Sequence, residues 1–214
     1  RISISDSTDY QFNGVLSTNG GPGGFGRGFT GTIYLPATTR NNFTLNSTLR
    51  LNCNDTYSFG NITILENGIL ELDSDPLYGD NGRSCTINAE NIIIKEGGQI
   101  SAYGLGWDYK QGTGYSSVGG GAHGGNGSYS NNVYGTIENP ISLGSPGKST
   151  NKAGGAIHLN VTNSIHINGS IIATAVPRRT GYSHGESSGG SIWIASNSIE
   201  GIGSIDASGS WAAG

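Results

Sequence analysis

The chain has 214 residues, of which 38 are glycine, only 12% are charged, and the formal net charge is −4. The charges form no basic block, which excludes the positively charged surface that nucleic-acid binding requires. No run of about 18 apolar residues occurs, so the sequence predicts no membrane-spanning helix.

Short apolar runs bounded by Gly, Asn and Ser begin at the N-terminus and predict strands separated by turns. Residues 2–4 and 14–20 form a first pair of such runs. The chain contains no methionine, begins within an apparent strand and ends within a glycine loop at 209–214. We therefore expect a segment of a longer secreted chain whose signal peptide is not included.

Two further pairs follow with similar spacing. Residues 62–64 precede 68–72, and residues 92–94 precede 98–102. Glycine-rich loops separate the pairs at about 20–30, 104–153 and 176–188. Because glycine permits positive φ and close backbone approach, such loops can leave a coiled chain at its corners.

The clearest repeat lies in the C-terminal third. The first copy has runs at 154–159, 163–167 and 169–173, and the second has matching runs at 189–194, 197–199 and 203–207. The offset is 35 residues at the start and 34 at the end, so one residue is lost between the first and second runs. Each copy therefore predicts three short strands in a fixed order.

One copy cannot bury its apolar face alone, whereas stacked copies form a continuous core. The sequence thus predicts an all-β fold, a right-handed parallel β-helix (a solenoid) that forms one segment over 1–214 with a long loop at about 104–153. Equivalent strands are expected about 4.8 Å apart. The predicted stacked pairs are Ile157 and Ile192, Ile165 and Ile199, Ile171 and Ile205, and Ala173 and Ala207. A β-sandwich does not explain the fixed order.

The loop sequence carries a resemblance. Gly-Gly-Gly-Ala-His-Gly-Gly-Asn-Gly at 119–127, Tyr134-Gly135, Leu-Gly-Ser-Pro-Gly at 143–147 and Gly-Gly-Ala-Ile at 154–157 resemble the glycine-rich β-helical repeats of very large secreted proteins. Such proteins are similar to cell-surface adhesins, wall components and mastigoneme-like filament subunits. The resemblance implies architecture more strongly than function. It supplies no catalytic motif.

The two cysteines, Cys53 and Cys85, precede the strands at Ile62 and Ile92 by nine and seven residues. Both are therefore expected near the same corner of adjacent coils. The expected spacing of the coils matches the Cα separation of about 4.4–6.8 Å in disulfides. We predict a Cys53–Cys85 disulfide, consistent with a secreted protein.

The chain contains seven Asn-X-Ser/Thr sequons, which mark possible N-glycosylation sites. They are Asn42, Asn46, Asn54, Asn61, Asn126, Asn160 and Asn168. Strand alternation predicts that the strand asparagines point outward, and Asn54 and Asn126 fall in turns or loops. We expect attached N-glycans and an extracellular or cell-surface location.

An enzymatic β-helix is the main alternative, because such folds include polysaccharide lyases and hydrolases. Catalytic carboxylates are expected as pairs about 5–10 Å apart, and Glu71 and Asp73 instead predict a solvated outward row. The four histidines show no metal-ligand spacing. The glycines at 119–125 lack the strand, helix and lysine of a phosphate-binding loop.

We therefore predict a non-enzymatic structural glycoprotein, a subunit or segment of a fibre, filament or stalk, without a cofactor or a metal. Its expected partners are itself or sister chains. Aromatic residues in the loops are interface candidates, namely Trp107, Tyr109, Tyr115 and Trp211. A carbohydrate-binding protein and a cell-surface adhesin with a protein partner remain open alternatives.

Overall fold

The computed structural model describes residues 40–52, 56–148, 152–177 and 185–210, and the backbone of four short strands before them. Those four are β1 (Ile2–Ser3), β2 (Pro22–Gly23), β3 (Gly26–Arg27) and β4 (Ile33–Tyr34). β1 pairs with β4 in parallel, and β2 pairs with β3 in antiparallel orientation. The described structure is almost entirely β.

Two parallel sheets contain most of the described strands. The larger sheet contains β5 (Asn42–Leu45), β7 (Thr56–Ser58), β8 (Asn61–Ile64), β10 (Cys85–Ile94), β12 (Ala156–Ile167) and β14 (Ser191–Glu200). The smaller sheet contains β6 (Thr48–Leu51), β9 (Ile69–Leu72), β11 (Gln99–Ser101), β13 (Ser170–Ile172) and β15 (Ser204–Asp206). From β8 onward the chain alternates between the two sheets.

The strand order in both sheets follows the chain. The larger sheet runs β5-β8-β10-β12-β14, with β7 also beside β10, and the smaller runs β6-β9-β11-β13-β15. Every pairing within these two sheets is parallel. β14 and β15 therefore form one end of the two sheets.

The apolar side chains of the two sheets form one core. Strands β5, β6, β8 and β9 all alternate between a buried and a more exposed residue. The buried set from both sheets packs as a single cluster, which includes Leu49, Ile62, Ile92, Ile100 and Ile171. Alternate residues of a strand point to opposite faces of the sheet. The apolar residues on one face of each strand are therefore enough to fill this core.

The three predicted isoleucine pairs are confirmed. Ile157 is in register with Ile192, Ile165 with Ile199, and Ile171 with Ile205. Beside the predicted alanine pair, the Ala173 amide donates to the Asp206 carbonyl, one residue before Ala207, at 2.8 Å. The offset of 34 to 35 residues is thus a true strand-to-strand register.

The prediction of three strands per copy is wrong for the C-terminal repeats, which have two. The first two runs of each copy join into one long strand, β12 or β14. The register shifts between Val161 and Ser164, where β12 contains one residue more than both neighbours. The residue lost between copies is thus absorbed by a bulge. Asn197 Nδ2 donates to the Thr162 carbonyl there at 2.6 Å.

Candidate assembly interface

The end of the sheets at β14 and β15 is open. Ile199 is 54% exposed and Ile205 is 50% exposed, although their register partners Ile165 and Ile171 are fully buried. Ile202, in the turn between the two strands, is 93% exposed. In the described part of the chain no strand lies beyond β14 or β15. Core-type residues therefore face outward at this end.

The opposite end of the core is covered. Phe43 and Leu45 of β5 and Leu49 and Leu51 of β6 are each at most 1% exposed. Phe43 also packs against Phe59, with ring centroids 5.3 Å apart. Because one end is covered and the other is open, the two ends of the core are not equivalent.

An aromatic stack lies on the outer face of the larger sheet next to the open edge. His158 and Trp193 are register partners on β12 and β14, and their rings are stacked with centroids 4.1 Å apart at an angle of 4°. His158 Nδ1 lies 3.1 Å from the hydroxyl of Thr86 on β10. Burial of the ring lowers the pKa of His158. One face of the indole therefore contacts His158, and the other lies toward the open edge.

A cleft of about 600 Å³ adjoins the start of β14. One wall comes from the glycine-rich loop, including Gly121, Gly124 and Gly125, and the other from Gly189, Gly190 and neighbouring residues. No described atom lies within 4 Å of where a Cβ at Gly124 or Gly125 would stand. There is therefore free space beside both glycines, and Ile192 and Ala207 at the β14 and β15 end also line the cleft.

His123 holds this loop against the second C-terminal repeat. Its Nδ1 lies 3.0 Å from the Gly189 carbonyl oxygen and its Nε2 lies 2.9 Å from Ser142 Oγ. Since a carbonyl can only accept, Nδ1 carries the proton of the neutral ring and Nε2 accepts from Ser142. His123 is 9% exposed, and this burial lowers its pKa.

Tyr134 reinforces the same contact. Its ring lies 4.9 Å from that of His123, and its hydroxyl donates to the Leu143 carbonyl and contacts Ser145 Oγ at 2.6 Å. Burial raises the pKa of Tyr134. The Ser145 amide in turn donates a hydrogen bond of 2.7 Å to Ser188 Oγ. The loop is thus fixed to the corner that precedes β14.

No protein-family model, no curated protein and no solved structure matches the chain. The geometry of the described residues therefore carries the functional argument. Within them, no helix has the length and hydropathy of a membrane span.

The sequons occupy different environments. Asn42, Asn46, Asn126 and Asn160 are exposed, Asn61 and Asn168 are half-buried, and Asn54 lies outside the described residues. Asn61 belongs to an amide ladder: its Nδ2 donates to Asn42 Oδ1, and Asn91 Nδ2 donates to Asn61 Oδ1, both at 2.8 Å. Whether any sequon carries a glycan stays a prediction.

Two of the four predicted aromatic interface residues contact each other. Tyr109 and Tyr115 meet edge to face with centroids 6.1 Å apart, and Tyr109 is 40% exposed. Trp107 is half-buried, and its indole N–H is enclosed without a hydrogen-bond partner among the described residues. Trp211 lies outside the described residues. Among the described residues, Trp193 on β14 is an aromatic residue at the open edge that the sequence indicated only as a strand residue.

Cys85 is disulfide-bonded and fully buried at the start of β10. It is in register with Ile157, as the spacing to the following strand predicted. Its Sγ lies 3.4 Å from the Asp73 carbonyl oxygen. Its predicted partner, Cys53, lies outside the described residues, so the Cys53–Cys85 pairing stays a prediction.

The prediction of a solvated acidic row is wrong for Asp73, which is only 4% exposed. Arg50, its neighbour on β6, binds the Asp73 carboxylate at 3.1 Å and lies 3.8 Å from Glu71. The sequence separation between Arg50 and Asp73 concealed this pair, which parallel pairing of β6 with β9 brings together. Both acids therefore face a guanidinium group.

Proposed function

We propose that this chain is a segment of an extracellular fibre, filament or stalk, built as a right-handed parallel β-helix of glycoprotein character without catalytic activity. The observation that carries the proposal is the open end at β14 and β15. Ile199 and Ile205 occupy positions that are fully buried one strand earlier. An open parallel edge with exposed apolar side chains is a template for further strands.

Three features support a solenoid. From β8 onward the chain visits the two sheets in turn, both sheets keep the chain order, and equivalent isoleucines pair across successive strands. Each repeat would then contact only its neighbours, so the length of the object could grow by adding repeats. A partner for the open end is accordingly a sister chain or further protein of the same kind.

The paired acids favour a structural role over a catalytic one. Glu71 and Asp73 contact Arg50, an arrangement that ties β6 to β9. A glycosidase needs one carboxylic acid and one carboxylate free to act on the substrate. A depolymerase assay on uronate polymers tests this point, and cleavage of any such polymer would contradict the proposal.

Negative-stain images and glycopeptide mapping of native material test the proposal as a whole. We expect elongated particles or filaments, and N-glycans on the exposed sequons Asn42, Asn46, Asn126 and Asn160. A dispersed monomer at high concentration, with every sequon unmodified, would refute both the assembly and the extracellular location. A soluble binding module would then be the better interpretation.

A further inference from the structure

We infer that the cleft between the glycine-rich loop and the start of β14 receives the Gly-Gly corner of a further repeat, whose first strand adds in parallel to β14. This inference rests on the proposed function and identifies the occupant of the open end. The occupant has the chemistry of the C-terminal repeats: two glycines, then alternating apolar residues, with a planar side chain opposite Trp193.

The glycine corners show why the occupant must begin with glycine. A Cβ at Gly190 would stand 1.6 Å from the Gly155 carbonyl oxygen, and a Cβ at Gly154 would stand 2.4 Å from the Gly190 amide nitrogen. Successive corners therefore approach so closely that no side chain fits between them. A strand that joins β14 in the same geometry meets Gly189 and Gly190 under the same constraint.

The cleft has the position that such a corner needs. It lies beside Gly189, Gly190 and Ser191, and Gly124 and Gly125 face open space on its other side. The His123 contact to the Gly189 carbonyl holds the loop wall against this corner. The loop thus restricts entry to a narrow backbone and sets the register of the incoming strand.

Trp193 adds a second requirement. Its indole already stacks on His158 of the preceding strand, and a strand spacing of about 4.8 Å places the next side chain of this row on its free face. A planar side chain there would extend the stack and gain aromatic contact. Apolar residues opposite Ile199 and Ile205 would complete the two ladders.

The covered end argues against head-to-tail stacking of identical copies. Phe43, Leu45, Leu49 and Leu51 are buried, so the β5 and β6 end offers a second copy no open core to join with β14 and β15. Stacking identical units requires a complementary open surface on each. A further repeat of the same pattern needs only the one open end.

A peptide that copies residues 154–173 is a direct probe, because it contains the Gly-Gly corner and has His158 in the position opposite Trp193. We expect the labelled peptide to bind the 214-residue chain, measured by fluorescence anisotropy. A Cβ at Gly124 or Gly125 meets no described atom within 4 Å, so Gly124→Leu and Gly125→Leu should narrow the cleft and weaken binding about tenfold or more. A peptide with Gly155→Val should bind equally poorly.

Asn67→Leu is the matched control, because it adds a leucine at an exposed turn residue remote from the cleft lining. This variant should bind the peptide as the parent does. The Gly124→Leu, Gly125→Leu and Asn67→Leu variants should all show the circular dichroism spectrum of the parent. Equal binding by the Gly124→Leu and parent chains, or no binding by the parent, would overturn the inference. A third outcome would also overturn the inference. If the chain self-associates, Gly124→Leu abolishes this self-association and the peptide does not compete with it, the occupant of the cleft is a second copy of the chain.

The two proposals fail separately. Filaments in native material without peptide binding would leave the proposed function standing and refute this docking site. Peptide binding by a protein that is monomeric and unglycosylated in native material would support the docking site and refute the fibre.

Discussion

Ile165 and Ile199 are register partners on β12 and β14, yet Ile165 is fully buried and Ile199 is 54% exposed. The two side chains are chemically identical and belong to the same ladder. The difference arises because β12 has a strand on both sides, whereas no described strand lies beyond β14. This pair therefore isolates the effect of the open end.

Replacing each of the two isoleucines by alanine should separate core packing from the open end. Ile165→Ala removes buried methyl groups and leaves a cavity, which should lower the free energy of unfolding by about 2–5 kcal/mol. Ile199→Ala removes half-exposed surface and should cost less than about 1.5 kcal/mol. Urea unfolding measures both values. Equal losses would show that Ile199 is covered in solution.

The glycine corner provides a second matched pair. Gly190→Ala would place a Cβ 1.6 Å from the Gly155 carbonyl oxygen, so the corner must shift, at a cost of about 1–3 kcal/mol. Gly124→Ala meets open space and should stay within about 0.5 kcal/mol of the parent. Thermal unfolding of both variants checks the prediction, and a stable Gly190→Ala protein would contradict the close stacking of corners.

The predicted Cys53–Cys85 disulfide should stabilise the fold. Reduction should lower the free energy of unfolding by about 3–4 kcal/mol, the magnitude that the chain-entropy model gives for a loop of this size. Denaturant unfolding with and without dithiothreitol measures the effect. The double variant Cys53→Ala/Cys85→Ala should not respond to the reductant. Two thiols available to alkylation in the unreduced, unfolded protein would refute the pairing.

Protonation of the buried His123 should destabilise the fold in mild acid. Burial lowers the pKa of His123 in the folded state, whereas its pKa in the unfolded chain is near 6.5. Between these two pKa values the unfolded chain binds more protons than the folded protein does. Stability is therefore fully present above about pH 6.5 and falls as the pH drops toward the folded pKa. Burial lowers the pKa of His158 as well, which adds in the same direction.

His123→Gln tests this assignment. The variant removes the titrating ring, so its free energy of unfolding should change less between pH 7 and pH 5 than that of the parent. At pH 7 it should be lower than the parent's by about 1–2 kcal/mol, because the hydrogen bonds to Gly189 and Ser142 are disturbed. An unchanged pH dependence would mean that His123 is not a source of the acid sensitivity.

The amide ladder should contribute to stability independently of glycans. Asn91 is not a sequon, yet it donates to Asn61 and accepts from Ser164 Oγ at 3.0 Å. Asn91→Ala should therefore cost about 1–2 kcal/mol, whereas Asn67→Ala in an exposed turn should be nearly neutral. Chemical unfolding of protein without glycans compares them. Equal stability of the two variants would show that the ladder contributes little.

The sequence determined the strand order, the parity of the core residues and the register. One ladder position is occupied by Cys85, Ile157 and Ile192. This position could be predicted because the alternation of side chains along a strand is local and the spacing from these residues to the following apolar run is nearly constant. The sequence did not predict that two of the predicted strands join into β12. A bulge accommodates the extra residue there and preserves the pairing on both sides of it.

Only the tertiary structure decided which residues meet across the loops and which end of the core is open. Arg50 reaches Asp73 through parallel pairing, and His123, in a loop between the repeats, reaches the Gly189 carbonyl 66 residues further along the chain. Exposure also depends on neighbours. Ile165 and Ile199 read alike in sequence, and only the presence or absence of the next strand makes one a core residue and the other part of an open surface.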